Sequence, residues 1–214
     1  MKKKFLCALW ALWLLAAPAL CRADAIVAEG MLLFSDASYA CYTGADLGGT
    51  VKKMSARARF FGGGACALIA TPNYPDEVAD ITACSIHIVF DAGGYYLGFC
   101  RDGVIKDVKT GAYTLDLTGE TEYSFGWEIQ GRTITLTLPT GKKVKYTGDL
   151  VKECGGNYAV WEHYMTDTDL ALGTGPAFTY IEGTGETCLT DDFSGADGAL
   201  TAAPTGQEYI VFAN

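Results

Sequence analysis

TEYSFGWEIQGRTITLTLP, from Thr121 to Pro139, alternates apolar and polar residues over most of its length. Tyr123, Phe125, Trp127 and Ile129 fall on one side of an extended chain, with Glu122, Ser124, Glu128 and Gln130 on the other. Beyond Gln130-Gly131, Ile134, Leu136 and Leu138 alternate with Thr133, Thr135 and Thr137 until Pro139 stops the run. Successive strand side chains point to opposite faces, so the spacing predicts a hairpin with one buried and one wet face. A hairpin does not hold its shape alone in water; its aromatic face needs a second sheet over it.

The flanking sequence offers that second sheet. Val51 to Phe61 alternates Met54, Ala56, Ala58 and Phe60 with Lys53, Ser55, Arg57 and Arg59, and Gly62-Gly63-Gly64 ends it. Ala65 to Ala70 reads as the next strand, followed by a polar loop from Asn73 to Ala79. Thr82 to Phe90 places Ile86, Ile88 and Phe90 inward, and Ser85, His87 and Val89 on the other side. Gly94–Cys100, Val104–Val108, Ala112–Leu117, Lys142–Thr147, Tyr158–Met165 and Ala177–Ile181 complete the strand expectations. Ile26 to Thr50 shows only a short apolar run at Met31–Phe34 and a turn-rich stretch around Tyr42-Thr43-Gly44. Strand-length runs about every 8 to 12 residues, with glycine turns and no helical period, predict an all-β, two-sheet antiparallel sandwich. The sandwich is expected over residues 26–182. Residues 183–214, rich in Gly, Ala and Thr, read as a tail or the start of a truncated second module.

The first 25 residues have the form of an export signal. Lys2, Lys3 and Lys4 precede an apolar run from Phe5 to Leu20, and Ala23-Asp24-Ala25 offers a small-residue cleavage site. The run is short for a membrane anchor and Pro18 interrupts it. Leu20 is bulky where a lipidation site before Cys21 wants a small residue. Cleavage after Ala25 takes four cations and one anion from a chain of net charge −9, leaving −12. Such acidity without a basic cluster argues against nucleic acid and anionic membranes as partners, and no insertion in a membrane is expected once the signal is removed. The expected location is secreted, extracellular or periplasmic. Six cysteines remain: Cys41, Cys66, Cys84, Cys100, Cys154 and Cys188. An even count in an exported chain predicts disulfides, with fifteen pairings open. None stands in a zinc-ligand spacing.

Three stretches carry a family likeness: SIHIVFDAGGYYLGF (Ser85–Phe99), GAYTLDLTGETEYSFGWEIQGRTITLTLPTGKKVKYTGD (Gly111–Asp149) and GGNYAVWEHYMTD (Gly155–Asp167). Their succession resembles exported proteins of the concanavalin A-like lectin/glucanase superfamily, within it the jelly-roll sandwiches related to laminin G domains. Shared features are a strand with a central His, a Tyr-rich strand, a hairpin ending in Leu-Pro-x-Gly and a late Trp-Glu strand. DDFSGADGAL (Asp191–Leu200) resembles the segment that often opens such a sandwich, here displaced to the far end. The resemblance implies a jelly-roll fold and leaves lectin, glycosidase and adhesive roles open.

Enzymatic members of that superfamily carry two Glu flanking an Asp at alternate strand positions, and retaining chemistry places the two carboxyls about 5 Å apart. Glu120 and Glu122 alternate without a following acid, and Glu122 and Glu128 lie roughly 20 Å apart along a strand. Asp76, Glu77 and Asp80 sit in a loop. No G-x-S-x-G turn accompanies His87 or His163, whose ordinary role is a hydrogen-bonded histidine on a sheet face. Aromatics offer more, since Tyr and Trp combine apolar area for stacking with a polar tip. Tyr158 and Tyr164 share a face with Glu162, opposite Trp161 and His163. One face must be wet, so the ligand-binding candidates are Glu162 with Tyr164, or Trp161 with His163, together with His87. Loop acids Asp76, Glu77, Asp91, Asp102, Asp167 and Asp169 offer oxygens for Ca²⁺, without EF-hand spacing. The expected function is non-catalytic binding of a glycan or surface polymer. A glycoside hydrolase or lyase of the same fold, and a structural or adhesive module that meets a protein, are the alternatives.

Overall fold

The computed structural model describes residues 25–34, 40–164, 175–195 and 197–213. The strands are β1 (Ala25–Ala28), β2 (Met31–Phe34), β3 (Ala40–Asp46), β4 (Lys53–Phe61) and β5 (Ala65–Thr71). A one-turn helix α1 (Val78–Ile81) precedes β6 (Cys84–Asp91), β7 (Gly94–Arg101), β8 (Val104–Ala112), β9 (Thr118–Gln130), β10 (Thr133–Thr137) and β11 (Lys143–Thr147). After a second short helix, α2 (Leu150–Glu153), come β12 (Tyr158–Tyr164), β13 (Gly175–Thr184), β14 (Cys188–Asp191), β15 (Gly198–Ala199) and β16 (Ile210–Ala213).

These strands form a two-sheet antiparallel sandwich. One sheet runs β11-β10-β9-β4-β13-β2-β1-β15, with β14 paired to β13; the other runs β16-β3-β12-β5-β6-β7-β8. The Thr121–Pro139 hairpin sits where its alternation demands. Ile134 pairs with Ile129 and Leu136 with Trp127, around a turn in which Gly131 takes φ 62°. Phe125, Trp127, Ile134, Leu136 and Leu138 are buried against the facing sheet. Met54, Ala56, Ala58 and Phe60 on β4 join the same core, as do Ile86, Ile88 and Phe90 on β6. The outer face of the larger sheet is wet and ion-paired: Lys53 Nζ lies 2.6 Å from Glu182, and Arg57 lies 3.2 Å from Glu122 and over the Tyr180 ring.

Four expectations need correction. The strand expected from Ala112 to Leu117 forms no element of its own, since β8 ends at Ala112 and β9 begins at Thr118. Tyr42-Thr43-Gly44 is the middle of strand β3, paired to β12 throughout, and no turn. Gly44 is there for close approach, because a Cβ on it would stand 2.9 Å from Pro75 Cγ. Residues 183–214 are neither a tail nor a second module: β14 pairs with β13, β15 with β1 and β16 with β3, so this segment adds strands to both sheets. Leu189 and Phe193 from it are buried in the common core. Finally, the loop expected from Asn73 to Ala79 gives way at Val78 to α1. The expected export signal lies outside the described residues except for Ala25, which already belongs to β1. No described helix is long and apolar enough to cross a membrane.

Candidate functional site: a groove on the outer face of the smaller sheet

Strand β5 reads ACALIAT, and its outward residues begin with two alanines, Ala65 and Ala67. Neighbouring strands carry larger outward side chains, so the methyl-only strip becomes the floor of a groove of about 390 Å³. Register fixes the walls. Glu162, Ala67, Val89 and Tyr96 form one cross-strand row, and Val160, Ile69, His87, Gly98 and Asp107 the next. Tyr164 pairs with Ala65 and stands at one end. The groove is therefore bounded by Glu162 and Tyr164 on β12, and by His87, Tyr96, Ile105 and Asp107 on β6, β7 and β8. Tyr96 and Tyr164 are each 42% exposed, which leaves ring surface for a ligand. Their strands are three spacings apart, about 14 Å.

Burial raises the Glu162 carboxyl to about 7, while the hydrogen bond it accepts from the Tyr42 hydroxyl pulls it down. Tyr42 in turn stacks on Phe212 with ring centroids 4.4 Å apart, so the final strand braces the residue that holds Glu162. His87 Nε2 lies 2.8 Å from the Ile81 carbonyl, to which it donates, and 2.8 Å from Ser85 Oγ. Burial lowers its basicity, partly offset by that carbonyl. With Thr71, whose hydroxyl donates to the Asp80 carbonyl at 2.7 Å, these bonds fasten α1 onto the sheet. Ile81 then closes a small outer apolar cluster with Ile69, Val160 and Tyr42. His87 is thus a structural histidine that also lines the groove.

Asp107 leans across Gly98: a Cβ there would lie 3.0 Å from Asp107 Oδ1 and 2.7 Å from Ile105 Cγ2. The glycine makes room for two side chains of the edge strand. Among the described residues, no Lys or Arg lines the groove.

Of the residues singled out in the sequence, the structure brings His87, Glu162 and Tyr164 together. Trp161 and His163 point the other way. Trp161 is wholly buried between the sheets, its indole N–H reaching the Ser55 carbonyl at 3.5 Å, and His163 is 2% exposed. The pair Trp161–His163 is therefore no ligand site; period-two alternation put it in the core once Glu162 faced out. Sequence reasoning missed Tyr96 and Asp107 as site residues, and the paired alanines of β5 were the signal that could have found the groove. Asp167 and Asp169 lie outside the described residues. Among the described residues no three Asp, Glu, His or Cys side chains gather as a metal-binding group.

The two groove carboxylates do not make a glycosidase pair. Glu162 leans toward Tyr42 on β3, and Asp107 leans over β7, three strand spacings from β12. The separation of about 14 Å exceeds the roughly 5–5.5 Å of retaining and 6.5–9.5 Å of inverting enzymes.

No family model matches the chain, and no curated protein matches its sequence. Among solved structures it is similar to the carbohydrate-binding module CBM66 from Bacillus subtilis, at 13% identity over 78% of this chain and 83% of that one, with a TM-score of 0.43. A Bacillus licheniformis beta-glucanase aligns at 13% identity over 63% and 66% of the chains, with a TM-score of 0.42. Xenopus laevis galectin-Va aligns at 15% identity over 56% and 86%, with a TM-score of 0.40.

Proposed function

We propose that the chain is an exported sandwich module that binds a glycan or surface polymer without cleaving it, in the groove over Ala65 and Ala67. The observation that carries this reading is the pairing of two half-exposed tyrosines, Tyr96 and Tyr164, across an alanine floor with hydrogen-bonding groups between them. Saccharide rings present apolar C–H faces that stack on aromatic rings, and hydroxyls that carboxylates and hydroxyls can bond. A groove whose described lining holds two carboxyl groups and no cation favours a neutral sugar or one bearing an amino group, and disfavours uronates and sulfated chains. The wide separation of Glu162 and Asp107 favours binding over hydrolysis. The basic and apolar leader at residues 1–25 supports an extracellular or periplasmic setting.

The test is a glycan and polysaccharide array, run with and without Ca²⁺, followed by titration of each hit against Tyr96→Ala and Tyr164→Ala. Each variant should weaken binding about 10-fold, the loss of a stacking contact worth near 1.4 kcal/mol. Unchanged binding in the double variant, or release of reducing ends from a bound polymer, would refute the reading. Ala67→Leu should fill the groove and abolish binding, at a cost to folding of about 1 to 3 kcal/mol because Ala67 is buried.

A further inference from the structure

Among the six described cysteines, one pair stands with its sulfurs close together. All six stand as thiols. Cys41 and Cys66 each pair in register with His163, on opposite sides of β12. Their backbones are two strand spacings apart, about 9.6 Å, beyond the roughly 7 Å that a disulfide spans between Cα atoms. Cys100 pairs with Ser85 on the outward face of its sheet, its Sγ 2.9 Å from the Thr82 carbonyl. Cys188 is exposed on β14, in the other sheet.

Cys84 and Cys154 are placed differently. The Gly155 N–H donates to the Cys84 carbonyl at 3.0 Å, which holds the two backbones side by side. The Cys84 and Cys154 sulfurs lie 3.6 Å apart, and Cys84 Sγ also lies 3.2 Å from the Glu153 carbonyl. Arg101, paired with Glu153, covers the site. We propose that Cys84 and Cys154 form an intramolecular disulfide, and that, among the described cysteines, Cys66, Cys100 and Cys188 remain thiols.

The sulfurs need to close by about 1.5 Å to reach bonding distance. The reaction consumes one external disulfide of the glutathione class. Cys84, half-buried and reachable, attacks it as the thiolate and forms a mixed disulfide, releasing one thiol. The Cys154 thiolate then displaces the second thiol from the Cys84 sulfur. Two protein thiols become one disulfide, and the external disulfide becomes two thiols. Cys154 is buried, with a thiol that burial raises to about 11, whereas Cys84 is half-buried, so the external disulfide meets Cys84 first. The bridge fastens the end of α2 to the start of β6, one residue from Ser85 and three from His87, whose side chains anchor α1.

The experiment exposes the full chain to oxidised and reduced glutathione at pH 8, alkylates free thiols and maps peptides without reduction. Mapping reads each cysteine separately, so Cys7 and Cys21 of the leader do not enter. A Cys84–Cys154 linked peptide, with Cys66, Cys100 and Cys188 alkylated, is the expected result. Reduction should then lower the melting temperature by about 5 to 15 °C in the parent, and by nothing in Cys84→Ser or Cys154→Ser. Alkylation of both Cys84 and Cys154 after oxidation, or a linkage of either to a different cysteine, would overturn the proposal; because it is read in the parent, the result holds even if a serine variant folds poorly.

Discussion

At the groove wall, burial keeps the Glu162 carboxyl near 7, while the unfolded chain ionises it near 4.5. Between those values the folded chain holds a proton that the unfolded chain has released, so stability falls as pH rises through that window. The full difference would be worth about 3 kcal/mol, and solvent access at the groove cuts this to about 2 kcal/mol. Glu162→Gln keeps the shape and removes the titration. Its denaturation midpoint should therefore lose less than the parent's between pH 5 and pH 8, and equal slopes in the two proteins would contradict the assignment. Tyr42→Phe removes the donor that favours the carboxylate, and should move the parent's window to higher pH. Parent and variants share every other titrating group, so the difference isolates this one carboxyl.

Two glycines in paired strands predict opposite outcomes at the level of the elements. Gly126, between Phe125 and Trp127 on β9, faces Ser55 on β4. A Cβ on it would stand 2.5 Å from the Met54 carbonyl oxygen and 2.9 Å from Ser55 Cα, which are backbone atoms that cannot step aside. Gly126→Ala should cost about 2 to 3 kcal/mol in urea denaturation. Gly98→Ala meets only the side chains of Ile105 and Asp107 on an edge strand, so it should cost under about 1 kcal/mol while pushing both into the groove and weakening ligand binding. The alternation that defines β9 and β10 was legible because a wet face opposes a buried one there. On β3 the same rule failed. Both of its faces are covered, one by the facing sheet and one by Phe212 and the loop at Pro75, so no polar residue marks an outward side. Glu162 and Tyr164 were legible as a pair from their spacing. Which side of β12 was wet was not, because Trp161 and Glu162 suit either until the strand's neighbours are known. Tyr96 and Asp107 join them only through the order β12-β5-β6-β7-β8, which sequence spacing does not encode.

Across the molecule, the last thirty or so residues close what the first residues begin. Ile26 pairs with Ala199, and Tyr42 and Thr43 pair with Phe212 and Val211. A chain ended after residue 187 lacks Leu189 and Phe193 from the core and Phe212 from the back of Tyr42. Such a truncation should lose its sharp thermal transition and bind a hydrophobic dye, because removing large buried side chains costs about 3 to 5 kcal/mol each against a total of 5 to 15. A truncated protein that melts as sharply as the parent would show that the closing strands only decorate the fold.

That closure has a temporal side. A ribosome releases β3 long before β16, and β1 long before β15, yet each early strand finds its edge partner only in the final segment. Pairings so distant along the chain form slowly and late. Until β15 and β16 arrive, β1 and β3 each keep one edge open, and the sandwich stays short of its locked form.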